Sequence, residues 1–134
     1  MLYVDASAMV AVLFGEPDRD AILQQLEQSR EPITSGVSVW EAAAAVRRGL
    51  KSTVDPYQRV QRFLDEAAIS VIPIGMTETS AAVEAFRLYG KGTGHQAQLN
   101  LGDCFSYGCA IVHARRLLFV GQDFSHTPLG QTRT

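Results

Sequence analysis

Apolar residues fall along this chain in short blocks that switch between strand-like runs and helical spacing. Leu2–Val4 is an uninterrupted apolar strand, and Ala6–Phe14 continues as an apolar helix that breaks at Gly15. Pro17 suits the first position of a second helix, with Ala21, Ile22 and Leu26 on one face. Pro32–Ser35 reads as a weak strand, and Ser38 opens a helix through Arg48 that closes at Gly49. Asp55 and Pro56 pair an N-cap with a first helical position, and Val60, Phe63, Leu64 and Ala67 follow at helical spacing. Val71–Ile74 is a strand with Pro73 inside it, which suits a sheet edge or a bulge. Thr77 caps a helix reaching Tyr89. The loop Gly90–Gly102 leads into a helix from Cys104 to about Ala114, and Leu117–Val120 is the last strand, before a turn over Gly121–Thr127.

Strands separated by helices need crossover connections. The expected fold is therefore α/β, one domain over residues 1–134, with a mostly parallel central sheet of about four or five strands flanked by helices on both faces. A chain of 134 residues can bury roughly two-thirds of its unfolded surface in a single core. Twelve basic against fourteen acidic residues leave a formal charge of −2, so no overall positive field draws in a nucleic acid. Any phosphate-bearing partner must be held by local basic groups or by bound metal. Cys104 and Cys109, the only cysteines, sit five positions apart in one helix and point about 140° from each other, so no bond between them is expected. Reduced thiols, no leader segment and no run approaching the roughly 20 residues of a membrane span make a cytoplasmic protein the expectation, with no membrane partner.

Four acids change the picture. Asp5, Glu41, Asp103 and Asp123 stand in LYVD, SVWE, NLGD and LLFVGQD, each where a strand or loop gives way to a helix or turn. Each has an ordinary explanation: Ser38 to Glu41 fits a capping box, Asp5 and Asp103 can cap helices, and Asp123 suits a turn. Capping does not explain why Asp5 and Asp123 end the two most apolar strands, where an unpaired charge costs several kcal/mol. The carboxyl ends of parallel strands share the edge where ligands bind. Four carboxylates on that edge cannot all stay ionised without a compensating charge, and a hard divalent cation is the natural one.

Several stretches carry a family resemblance: VDASAMVAVLFGEP, VWEAAAAVRRG, YGKGTGHQAQLNLGDCFSYGCA and LLFVGQDFSHT. The chain resembles the VapC toxins of bacterial toxin–antitoxin pairs, which are PIN-domain ribonucleases, from Asp5 to Thr127. The resemblance implies a PIN-like fold and a Mg2+- or Mn2+-dependent endoribonuclease acting on structured RNA of the tRNA or rRNA class. Its catalytic and metal-holding acids would be Asp5, Glu41, Asp103 and Asp123, with Asp5 and Asp103 binding the main cation and Ser7 and Thr127 as supporting polar groups. It also implies a cognate VapB-type antitoxin and a homodimer. Gln122 and His126 depart from the family's usual pattern beside the fourth acid.

Other residues add less. Arg47, Arg48 and Lys51 end the helix that Glu41 begins, where they complement its macrodipole, and Arg48, seven residues on, shares Glu41's face as a candidate RNA contact. Lys91, in a glycine-rich loop that fails the phosphate-loop pattern, is a second such contact. His95, His113 and His126 lack zinc-ligand spacing. Trp40 is expected to anchor a core or an interface. A haloacid-dehalogenase-like phosphatase would also start from an Asp after the first strand, but Ser7 occupies the place of its second Asp. A non-catalytic PIN-like adaptor, binding RNA or protein, is the alternative outside enzymology.

Overall fold

A computed structural model describes residues 1–50 and 55–132. The elements run β1 (Leu2–Val4), α1 (Ala6–Leu13), α2 (Arg19–Gln28), β2 (Pro32–Ser35), α3 (Gly36–Gly49), α4 (Pro56–Glu66), β3 (Ser70–Ile72), α5 (Met76–Tyr89), α6 (Leu101–His113), β4 (Leu117–Leu118) and a closing 3-10 turn (Pro128–Thr132). All four strands pair in parallel in the order β3-β2-β1-β4. The order reverses at β1: the chain steps from β1 through β2 to β3, then returns to place β4 on the other side. Ligand sites of open parallel sheets form beyond the carboxyl ends of strands at such a reversal.

Strand alternation divides the interior into two cores. Leu2 and Val4 face one side, where Met9, Ile22, Val39, Val46, Val60 and Phe63 from α1–α4 cover them. Tyr3 and Ile33 face the other, against Ala82, Leu99, Tyr107, Phe119 and Phe124. With both faces covered, β1 and β4 have no polar side to show, which is why they read as unbroken apolar runs, whereas the edge strand β3 is largely exposed. The expected α/β architecture, with helices on both faces of a parallel sheet, is the one observed.

The differences lie mainly at helix starts. α2 begins at Arg19, not Pro17, and Ala21 is exposed while Ile22 and Leu26 are buried. α3 begins at Gly36 behind Ser35, so Ser38 is inside the helix and caps nothing. A buried serine whose hydroxyl finds partners elsewhere has no need of the helix end. α5 begins at Met76, because the Glu78 carboxylate accepts the Gly75 N–H at 2.7 Å and outcompetes the cap expected from Thr77. α6 begins at Leu101 with Asn100 as its cap, which moves Asp103 into the first turn. β3 ends before Pro73 and lies at the sheet edge; β4 ends at Leu118, because the chain turns away toward Gly121. Lys51 lies outside the described residues. Cys104 and Cys109 are both free, and burial pushes their thiols up to about 11. Among the described residues, no helix is long and apolar enough to cross a membrane.

Candidate active site

Asp5 leaves β1 with its backbone still in the ladder, its N–H donating to the Leu118 carbonyl of β4 at 3.0 Å. Its carboxylate caps α1 and is only 5% exposed. Oδ2 accepts both the Ser7 N–H at 3.0 Å and the Ser7 hydroxyl at 2.6 Å, while Oδ1 accepts the Ser106 hydroxyl at 2.6 Å. Ser7 in turn accepts the Val120 N–H at 3.0 Å, which ties the end of β4 to the start of α1. One carboxylate thus gathers β1, α1, α6 and the segment after β4.

The other acids converge from separate elements. Asp103, in the first turn of α6, forms a reciprocal cap with Asn100: Asp103 Oδ2 accepts the Asn100 N–H at 3.1 Å, and Asn100 Oδ1 accepts the Asp103 N–H at 2.9 Å. This uses one carboxylate oxygen and leaves the other free. Burial pushes the Asp103 carboxyl up to about 6, with the charges of Asp123 and Asp5 adding to the rise and the Asn100 bond and Lys91 opposing it. Glu41, one turn into α3, rests against Gly102 of α6, where a side chain would collide with the Glu41 carboxylate. Burial first, then the charges of Asp5 and Asp103, pushes Glu41 up to about 7. Asp123 is exposed, in the turn after β4.

All four acids therefore share one electrostatic field at the carboxyl edge of the sheet. Among the described residues, no three or more Asp, Glu, His or Cys side chains are grouped closely enough to cage a metal ion. A cage is not what a hard cation requires, since Mg2+ keeps several waters and takes few carboxylates. The donor set is all oxygen, and two of its members are held above their ordinary range partly by like charge. Both properties fit a hydrated divalent cation.

Comparison with known proteins decides the family. Residues 2–129 match the PIN domain. The chain is 37% identical over 128 residues to the ribonuclease VapC42 of Mycobacterium tuberculosis, covering 96% of each chain. It belongs to the PIN-domain family, in its VapC ribonuclease branch. The M. tuberculosis ribonuclease VapC30 is 36% identical over 129 residues, with 96% of this chain and 95% of that one covered. Among solved structures, the M. tuberculosis VapC20 toxin, described as cleaving the sarcin–ricin loop, superposes with a TM-score of 0.70 over 93% of each chain at 15% identity, a likeness of fold.

This PIN domain brings together most of the residues its sequence suggested. Ser7 supports Asp5 directly, its hydroxyl donating to Asp5 and accepting the Val120 N–H. Lys91 is near enough to Asp103 to oppose the rise of its carboxyl. Thr127 is buried, but its hydroxyl donates to the Phe124 carbonyl at 2.7 Å, so it shapes the last turn and is not spent on the acids. Arg48 lines an outer groove with Trp40, Ala44 and Tyr57. Trp40 is 71% exposed, so it is no core anchor. His113 bonds Glu78 at 2.7 Å, and His95 accepts the Ala97 N–H through Nδ1. Sequence reading passed over Ser106, Asn100 and Gly102. The spacing of Asp103 and Ser106, three apart on a helix, was the available signal that both face the same way.

Proposed function

We propose that this PIN domain is a divalent-metal-dependent endoribonuclease toxin that hydrolyses phosphodiester bonds of structured cellular RNA and is held silent by a VapB-type antitoxin. The family supports the ribonuclease and toxin character. What supports the metal and the site is the convergence of Asp5, Glu41, Asp103 and Asp123 on one edge, where burial first and neighbouring carboxylates second push Glu41 and Asp103 up.

Asp5 and Asp103 would hold a Mg2+ or Mn2+ ion, Glu41 directly or through water, and Asp123 would complete the site from its solvent side. Such a cation supplies a hydroxide-like water and neutralises charge on the phosphodiester oxygens. The chain's own part is positioning. Ser7 and Ser106 fix Asp5, Asn100 fixes Asp103, and Gly102 leaves room for Glu41. Asp123, exposed at the mouth, meets substrate first, and Lys91 lies beside Asp103 to meet a phosphate. Arg48 extends basic character along α3, and the net charge of −2 makes such local cations the means of holding RNA. A homodimer is part of the same reading, by family.

The test incubates total bacterial RNA with wild type and with Asp103→Asn, under Mg2+, Mn2+ or chelator. Discrete products that need both a metal and Asp103 are expected. No cleavage by folded, antitoxin-free protein under either metal would replace this reading with the adaptor. Equal cleavage by the variant would move the site elsewhere.

A further inference from the structure

A chain of buried hydroxyls runs behind Asp5, and nothing in the cleavage chemistry itself calls for it. Ser106 Oγ lies 3.1 Å from Ser38 Oγ, Ser38 Oγ lies 2.8 Å from the Tyr3 hydroxyl, and that hydroxyl lies 2.7 Å from Ser35 Oγ. Tyr3, Ser35, Ser38 and Ser106 are each 0% exposed. They come from β1, the end of β2, α3 and α6, so four elements are pinned by three short contacts. Four hydroxyls buried in a mainly apolar interior cost stability unless each is satisfied.

The direction of the chain follows from counting hydrogens. Ser106 donates its only hydroxyl hydrogen to Asp5 Oδ1, so toward Ser38 it can only accept. Ser38 therefore donates to Ser106 and accepts from Tyr3, and Tyr3, having donated, accepts from Ser35. Burial raises the Tyr3 phenol above its ordinary value, so it stays a donor. Every hydroxyl thus points the same way, toward the carboxylate. Hydrogen bonds aligned in series strengthen one another, most of all when they end on a charge.

The consequence falls on Asp5. An ionised carboxylate offers about four lone-pair sites. Ser7 takes two through its N–H and hydroxyl, both on Oδ2, and Ser106 takes a third, on Oδ1. One site remains, on Oδ1. We propose that Ser106, seated by Ser38 and Tyr3, is a positioning residue that locks the Asp5 carboxylate so that a single Oδ1 lone pair faces the divalent cation. This rests on the metal reading above and adds to it a residue that touches neither substrate nor metal.

The test measures Mn2+ binding by calorimetry on wild type, Ser106→Ala and Ser38→Ala, with melting in chelator alongside. Removal of a residue that orients a ligand typically weakens metal affinity about 10- to 100-fold. Ser106→Ala is expected to lose affinity in that range. Ser38→Ala, which keeps the Ser106–Asp5 bond but removes its support, is expected to lose less, in the same direction. A purely structural role would lower the melting temperature of both and leave the affinity of the folded protein unchanged. Folded Ser106→Ala that binds Mn2+ within twofold of wild type would overturn the inference alone. Should Ser106→Ala not fold, unchanged affinity in Ser38→Ala would overturn it, and reduced affinity would support it. Wild type that binds no Mn2+ would remove the metal reading and this inference together.

Discussion

The Glu41 carboxylate lies directly over the α-carbon of Gly102, so close that a methyl group there would fall 2.6 Å from Oε1 and nearer still to Oε2. The contact joins α3 to α6 at the point where two of the four acids meet. It explains why a glycine stands one residue before Asp103, in a helix turn where glycine is otherwise costly. Gly102→Ala is expected to push Glu41 aside and lower cleavage on the order of 100-fold, the scale of a small misplacement of a catalytic group. Melting should move little, because the gain in helix propensity of up to about 1 kcal/mol offsets the crowding. Single-turnover rates beside thermal melts check it, and unchanged rates would free Glu41 of any role.

Gly108, two turns further along α6, gives the opposite outcome. A side chain there would meet the Ala82 backbone of α5 at 2.6 Å, with no flexible atom to give way. Gly108→Ala is expected to cost about 1–3 kcal/mol by overpacking, while the fraction that remains folded cuts at the wild-type rate. Chemical denaturation with activity measured per folded molecule separates the two.

Burial of the acids, reinforced by their mutual charge, has a pH signature. Glu41 and Asp103 are raised to about 7 and about 6 from ordinary values of 4.5 and 3.8. Groups raised on folding add stability that is fully present below their unfolded values and is lost as pH rises through the folded ones. Metal-free protein should therefore lose stability between about pH 4 and pH 7 on their account. Glu41→Gln, which removes one charge, is expected to melt above wild type at pH 8 and to approach it at pH 5, in chelator. Parallel melting curves across that window would mean that neither burial nor the neighbouring acids raises the Glu41 carboxyl.

Lys91 opposes the rise of Asp103 and projects into solvent from the loop before α6. Lys91→Ala is expected to raise KM for RNA several-fold with little change in melting, and the penalty should shrink as salt rises. Steady-state cleavage at two ionic strengths reads this out. A fall in kcat at constant KM would instead make Lys91 part of the reaction.

The strands and the acids were legible because they are local signals. Leu2–Val4 stands as read because a run buried on both faces carries no polar interruption, and Pro32–Ser35 stands although Thr34 and Ser35 bring two buried hydroxyls into it. Helix starts were harder, because a cap is a competition. Ser38 and Thr77 are good caps by type, but Ser38 was drawn into the core by Tyr3 and Ser106, and Glu78 reached Gly75 first. The acids were found as a pattern, but their unequal exposure, with Asp5 nearly sealed and Asp123 open, depends on neighbours distant in the chain. Ser106 was harder to see for the same reason: its partner is Asp5, 101 positions away in the chain.

The strand order also sets a schedule. β1 is central, yet one of its two neighbours is β4, the last strand to be made. A chain lengthening from its N-terminus carries Asp5 and Glu41 early, but Asp103 and Asp123 only with α6 and the turn beyond β4. Until then Asp5 lacks the Ser106 hydroxyl and the Leu118 carbonyl that hold it. The four-acid edge is thus complete only once the closing strand has docked, whatever the earlier elements have already formed.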